Sequence, residues 1–97
     1  MLFDDYQVQA RRSMRPGLSA RDALVDAAAG LAEEAGEVVS HVRKHVFFER
    51  PLDREAVTIE LGDALWCLAA VATHLGLSLG DVAAANLVKI QTKVSTS

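Results

Sequence analysis

Cys67 is the only cysteine of the chain, which excludes an internal disulfide and a cysteine-based zinc site. It stands in an apolar run, so its thiol reads as a buried and inert group. Aromatic residues number only five among 97. The apolar content is instead mostly Ala, Val and Leu, which suits closely spaced helices better than a sheet. A basic excess is also missing: the formal net charge of −3 leaves no footprint for nucleic acid or an anionic membrane. No apolar run reaches the roughly 18 residues of a membrane span. The N-terminus lacks the basic region and apolar stretch of a secretory signal. The expectation is a soluble, cytoplasmic, single domain over residues 1–97. A chain this short buries little more than the roughly 60% of unfolded surface typical of 60 residues, so self-association is a common way to add core.

Sparse punctuation predicts four helices. Asp4 or Asp5 can cap a first helix running to about Met14, and Arg15-Pro16-Gly17 ends it. Ser19 can cap a second helix over Ala20–Phe47, with Asp22 completing an approximate capping box. Along it Leu24, Ala28, Leu31, Ala35, Val38 and Val42 alternate spacings of four and three, the seam of a helix bundle. Glu49–Asp53 reads as a loop, with Asp53 as the next cap. The third helix runs to His74 or Leu75 and stops at Gly76. Ser78 caps a fourth, about Leu79 to Lys93, with a fraying tail from Val94 to Ser97. Gly30, Gly36 and Gly62 fall inside helices, where each costs about 1 kcal/mol relative to Ala. Close approach of another backbone or of a ligand is the expected reason. Long helices with short connections favour an antiparallel four-helix bundle.

The third helix carries the chemistry. Between Ala56 and Gly80 the only formally charged residues are Glu60 and Asp63, and Ala64–Ala72 is apolar on every side. A helix of that kind is a buried one. An isolated carboxylate there costs several kcal/mol and tends to protonate. Two at i, i+3 repel each other unless something positive lies between them, either an arginine or a divalent cation. The second helix supplies a matching pair, Glu34 and Glu37, on a flank that reads Ala23, Ala27, Gly30, Glu34, Glu37, His41. Small residues leading up to two carboxylates leave room for a helix or a ligand. Four carboxylates without cysteine or a Glu-x-x-His pair are hard oxygen donors and favour Mg²⁺ or Mn²⁺. Mg²⁺ held in this way commonly completes its shell with substrate phosphates.

The two acidic segments, Gly30-Leu31-Ala32-Glu33-Glu34-Ala35-Gly36-Glu37-Val38 and Glu60-Leu61-Gly62-Asp63-Ala64-Leu65-Trp66, resemble the ExxE and ExxD motifs of MazG-like nucleoside triphosphate pyrophosphohydrolases, an all-α superfamily. The resemblance extends from about Tyr6 to Lys89. It implies hydrolysis of a nucleoside triphosphate to the monophosphate and pyrophosphate, with Mg²⁺ (or Mn²⁺) on Glu34, Glu37, Glu60 and Asp63. Glu33 would bind a further ion or orient the attacking water, and Lys44, Asn86 and Lys89 would contact phosphates. Many relatives carry a second basic residue after the lysine, where this chain has His45.

Tyr6 and Trp66 are candidates for stacking on a base, though residues at such helical spacing more often belong to the core. Arg11, Arg12 and Arg15 are either solvated or phosphate contacts across a subunit interface. Alternative readings keep the fold and change the substrate, to phosphoribosyl-ATP or dUTP. Another makes the chain a non-catalytic assembly module with a structural metal clamp. Because the short first and last helices would cover the apolar third helix thinly, a homodimer or homotetramer is expected, with neither nucleic acid nor membrane as a partner.

Overall fold

The computed structural model describes residues 1–96, with four helices: α1 (Phe3–Arg12), α2 (Ala20–Phe47), α3 (Arg54–His74) and α4 (Leu79–Thr96). No strand occurs among the described residues, and the fold is the all-α one expected. Three caps are the predicted ones. Ser19 accepts from the Asp22 amide at 3.1 Å, Asp53 from Ala56 at 3.0 Å, and Ser78 from Asp81 at 3.2 Å. Each satisfies one of the amide groups that a helix start leaves without a partner.

Both terminal helices depart from expectation. α1 begins at Phe3 with Leu2 as its cap residue, and the Leu2 amide donates to Asp5 at 3.4 Å. It ends at Arg12, two residues early, because the amides of Ser13 and Met14 turn back to the carbonyls of Ala10 and Arg11. α4 continues through Thr96 rather than fraying from Val94, and Ser97 lies outside the described residues.

Asp4 is freed from capping its own helix and caps α4. Its Oδ1 accepts from the Ser78 hydroxyl and the Gly80 amide, both at 2.9 Å. These bonds hold the Asp4 carboxyl below its ordinary range, with the Gly80 amide the larger cause. Gln7 completes the joint. Its amide nitrogen donates to Thr73 Oγ1 at 3.1 Å and to the Leu77 carbonyl at 2.9 Å, and its Oε1 accepts from the Leu79 amide at 2.8 Å. One glutamine thus ties the end of α3, the turn and the start of α4 to α1.

The main packing is the antiparallel α2–α3 pair. Its interface is made of small residues, Ala27 and Gly30 against Cys67 and Ala70, and buried Ala69, Ala72, Ala10 and Leu79 complete the core. Tyr6 and Trp66 pack against Ala10, Ala69 and Leu79, which places both with the core. Trp66 donates its indole N–H to Ser13 Oγ at 2.7 Å, and that hydroxyl in turn donates to the Ala10 carbonyl. Of Gly30, Gly36 and Gly62, Gly30 alone has a close neighbour. A Cβ there would lie 3.0 Å from Cys67 Sγ, whereas at Gly36 and Gly62 nothing lies within 4 Å. Close approach therefore explains Gly30 alone, and the neighbour is a side chain rather than a backbone.

The buried face of α2 takes in half of the expected seam, with Leu24, Leu31 and Val38 half-buried, together with most of the small and acidic flank. Ala27 is buried and Gly30, Glu34 and His41 are half-buried, while Ala28, Ala35 and Val42 of the predicted seam are exposed. The flank residues Ala27 and Gly30 lie deepest because small side chains admit a second helix closely. The seam alanines and Val42 then face outward, in company with Val25, Val39 and Val46. α4 packs mainly on α1 and leaves Leu87, Val88 and Ile90 exposed. The resulting chain is spread out, with a radius of gyration of 15.9 Å against about 13 Å for a compact domain of 100 residues.

By length and composition α3 is apolar enough to cross a membrane. It also carries Glu60 and Asp63, and a carboxylate in a bilayer costs about 3 kcal/mol or more.

Replacing Gln7 with Ala removes three bonds at the α1–α4 joint. It is expected to lower the unfolding free energy by about 2 kcal/mol in urea denaturation, while Gln9→Ala, at an exposed site on the same helix, leaves it nearly unchanged.

Candidate metal centre

α2 and α3 bring three of the four predicted acids together. One carboxylate oxygen each from Glu34, Glu60 and Asp63 lies within 4.8 Å of the other two. Glu34 and Glu60 are half-buried and Asp63 is exposed. Oε2 of Glu34 is buried with no donor facing it. The Glu34 carboxyl also meets that of Glu60, and a hydrogen bond between the two groups forms only when a proton lies between them. This interaction, with desolvation and the charges of Glu60, Asp63 and Glu33 behind it, pushes the Glu34 pKa up to about 7.

A cluster of acids that holds a proton near neutrality is one that lacks a positive charge. The donors here are all carboxylate oxygens, and Glu34 carries one buried oxygen with no hydrogen-bond partner. A divalent cation such as Mg²⁺ or Mn²⁺ fits that donor set.

The remaining predicted residues are distributed around this cluster. Glu37 is exposed one turn along α2 and lies outside the group of three. Glu33 is exposed beside Glu34, close enough to raise its pKa. Lys44 is exposed two turns beyond Glu37, in a shallow groove with Gly36, Val39, Ser40, Arg43 and Phe48. Asn86 and Lys89 are exposed on α4, which packs mainly on α1 and meets α3 through Leu79 at its first turn. His45 is turned away from the site, with its Nδ1–H donating to the Arg50 carbonyl at 2.7 Å and closing the α2–α3 loop.

Two neighbours of the cluster escaped the sequence reading in this role. Tyr6 lies close to Asp63, and burial first, then the Asp63 charge, pushes its hydroxyl pKa up. Beyond Gly30 and Cys67, one helical turn from Glu34 and Asp63, a cleft of about 170 Å³ opens, with Arg15, Asp26, Trp66 and His74 among its walls. The spacing Asp26, Gly30, Glu34 was the available signal. The Cys67 thiol is pushed up by burial, then by Glu34, Asp63, Asp26 and Glu33, which keeps it protonated and inert.

Residues 25–95 match the MazG nucleotide pyrophosphohydrolase domain. No curated protein and no solved structure matches the chain.

The raised Glu34 pKa has a signed consequence. Between its ordinary value of 4.5 and about 7, the folded state keeps a proton that the unfolded state has lost. Without metal, stability therefore falls as pH rises through this window and levels off above it. Thermal unfolding in EDTA from pH 4.5 to 8 is expected to show that fall. An excess of Mg²⁺ or Mn²⁺ is expected to reverse it most strongly above pH 7, where no proton competes.

Proposed function

The chain belongs to the MazG nucleotide pyrophosphohydrolase family, and from that premise we propose that it hydrolyses a nucleoside triphosphate to the monophosphate and pyrophosphate in a Mg²⁺-dependent, house-cleaning role. The observation that carries this reading is the cluster of Glu34, Glu60 and Asp63, with its orphaned oxygen, inside the matched segment. These three residues, joined by Glu37, would hold the cation. When bound, it supplies neutralisation of phosphate charge and a more acidic water at neutral pH.

The protein's own groups do the rest. Glu33, exposed beside the cluster, orients the attacking water and accepts its proton. Lys44 offers a positive charge to the phosphates from the same helix. The reaction cleaves the bond between the α- and β-phosphates, so the nucleoside end of the substrate lies to one side of the cluster and the pyrophosphate to the other. The cleft beyond Gly30 and Cys67 suits the nucleoside side, and the groove beside Lys44 suits the pyrophosphate side.

Asn86 and Lys89 enter through self-association. The outward valines of α2 and the apolar residues around Asn86 and Lys89 on α4 form faces that a second copy would cover. Such a copy would bring the phosphate-binding pair to a neighbour's cluster and compact an otherwise spread chain. A homodimer or homotetramer is the form we expect to be active.

The alternatives that keep this fold, phosphoribosyl-ATP or dUTP as substrate, place the same demands on the acids. A non-catalytic module with a structural clamp needs no lysine at the pyrophosphate side.

Asp63→Asn and Glu37→Gln are each expected to lower pyrophosphate release at least about 100-fold, with far-UV circular dichroism unchanged. Wild-type turnover in both variants would remove the acids from the reaction, and pyrophosphate from no nucleotide with either metal would favour the clamp. Light scattering at low micromolar concentration is expected to give the mass of two or four chains. Leu87→Asp and Val42→Asp are expected to shift it toward one, with activity falling in parallel.

A further inference from the structure

The cleft beside the acid cluster has polar groups of a particular kind. Its inner wall is small or apolar, formed by Ala27, Gly30, Cys67 and Ala70. Trp66 adds only carbon surface, since its single N–H is committed to Ser13 at 2.7 Å. The charged groups at the cleft are Arg15, from the α1–α2 connection, and Asp26, on α2. Both also line the adjoining surface groove, and no ion pair joins them to each other. The Asp26 charge is felt at Cys67 on the opposite helix. The cleft therefore presents a guanidinium and a carboxylate over an apolar floor, two turns of α2 from Glu34.

We propose that this cleft takes the base of the nucleotide and that Asp26 makes it selective for guanine. The proposal rests on the pyrophosphohydrolase reading given above. A carboxylate only accepts hydrogen bonds, and with two oxygens it matches two adjacent donors. Among the common bases only guanine offers these side by side, at N1–H and the 2-amino group. Cytosine and adenine offer one amino group next to an accepting ring nitrogen, which repels a carboxylate. Uracil and thymine flank their single N–H with carbonyls. Arg15 supplies the complementary part, since a guanidinium fork matches guanine O6 and N7. Size agrees: the cleft of about 170 Å³ is close to the roughly 150 Å³ cavity that accepts a benzene ring. Being open, it lets the larger ring and its sugar project toward the acids.

GTP and ITP differ only in the 2-amino group that Asp26 would read. With Mg²⁺ present, wild-type kcat/KM for pyrophosphate release is expected to favour GTP over ITP by about tenfold, the value of one charge-assisted hydrogen bond at a partly open site. Asp26→Leu and Asp26→Asn are expected to bring that ratio close to one. Equal wild-type kcat/KM for the two nucleotides, a higher value for CTP, or a ratio unchanged in Asp26→Leu would overturn the guanine assignment while leaving the pyrophosphohydrolase reading intact.

Binding gives a second readout that needs no turnover. Trp66 is the chain's only tryptophan, so GMP is expected to quench its fluorescence at lower concentration than IMP, and Asp26→Leu to erase the difference. Absence of quenching by either monophosphate would show that no base enters the cleft. Release of pyrophosphate from no nucleotide at all would instead overturn the parent reading.

Discussion

Three carboxylates drawn within 4.8 Å of one another repel, and their repulsion is the constraint around which this fold is arranged. Something must hold α2 and α3 together against it. The helices do so with side chains small enough to let their axes come close: Ala27 and Gly30 from one, Cys67 and Ala70 from the other. The contact at Gly30 shows how little slack remains, since a single methyl group would press on the Cys67 sulfur at 3.0 Å. Close packing yields many weak attractions per unit length of helix. A proton on Glu34, or a cation in its place, relieves the rest.

This arrangement has a cost in core size. Small residues make a tight interface but a thin one, and no large side chain is fully buried among the described residues. α1 compensates on one side, packing Tyr6 and Ala10 against Ala69 and Leu79 with Trp66 alongside. Polar bonds do the remaining work there. Asp4 and Gln7 fasten the start of α4, and Ser13 links α1 to Trp66. The outward valines of α2 (Val25, Val39, Val42 and Val46) and the far part of α4 are left for another surface to cover.

The same geometry separates the parts of the site. The clustered acids belong to the α2–α3 pair, the cleft wall runs from Gly30 and Cys67 toward Asp26 and His74, and Lys44 lies in the opposite direction along α2. On the proposed reading, a nucleotide laid along this axis would meet Asp26, the acids and Lys44 in the order of its base, α-phosphate and pyrophosphate. Asn86 and Lys89 alone stand off this axis, on a helix that diverges from it.

Much of this was legible before any coordinates. Glu60 and Asp63 stood out because they are the only charges in an otherwise apolar helix. α2 could be bounded at Ala20 and Phe47, and three of the helix caps named, because capping is a local matter of a side chain and the amides two or three residues on. What sequence alone did not decide was rotation and partnership. Both a regular apolar seam and a flank of small residues run along α2, and periodicity cannot say which one faces α3. Packing chose a face between the two, with Ala27 and Gly30 of the flank beside Leu24, Leu31 and Val38 of the seam, and left Ala28, Ala35 and Val42 outside. Asp4 has the right place to cap α1, yet its partner is the start of α4, more than seventy residues away. The sequence thus determined the helices and the acids. Tertiary structure decided which three acids meet, which cleft they adjoin, and which apolar faces remain uncovered, because each depends on the distance between helices rather than on spacing along one.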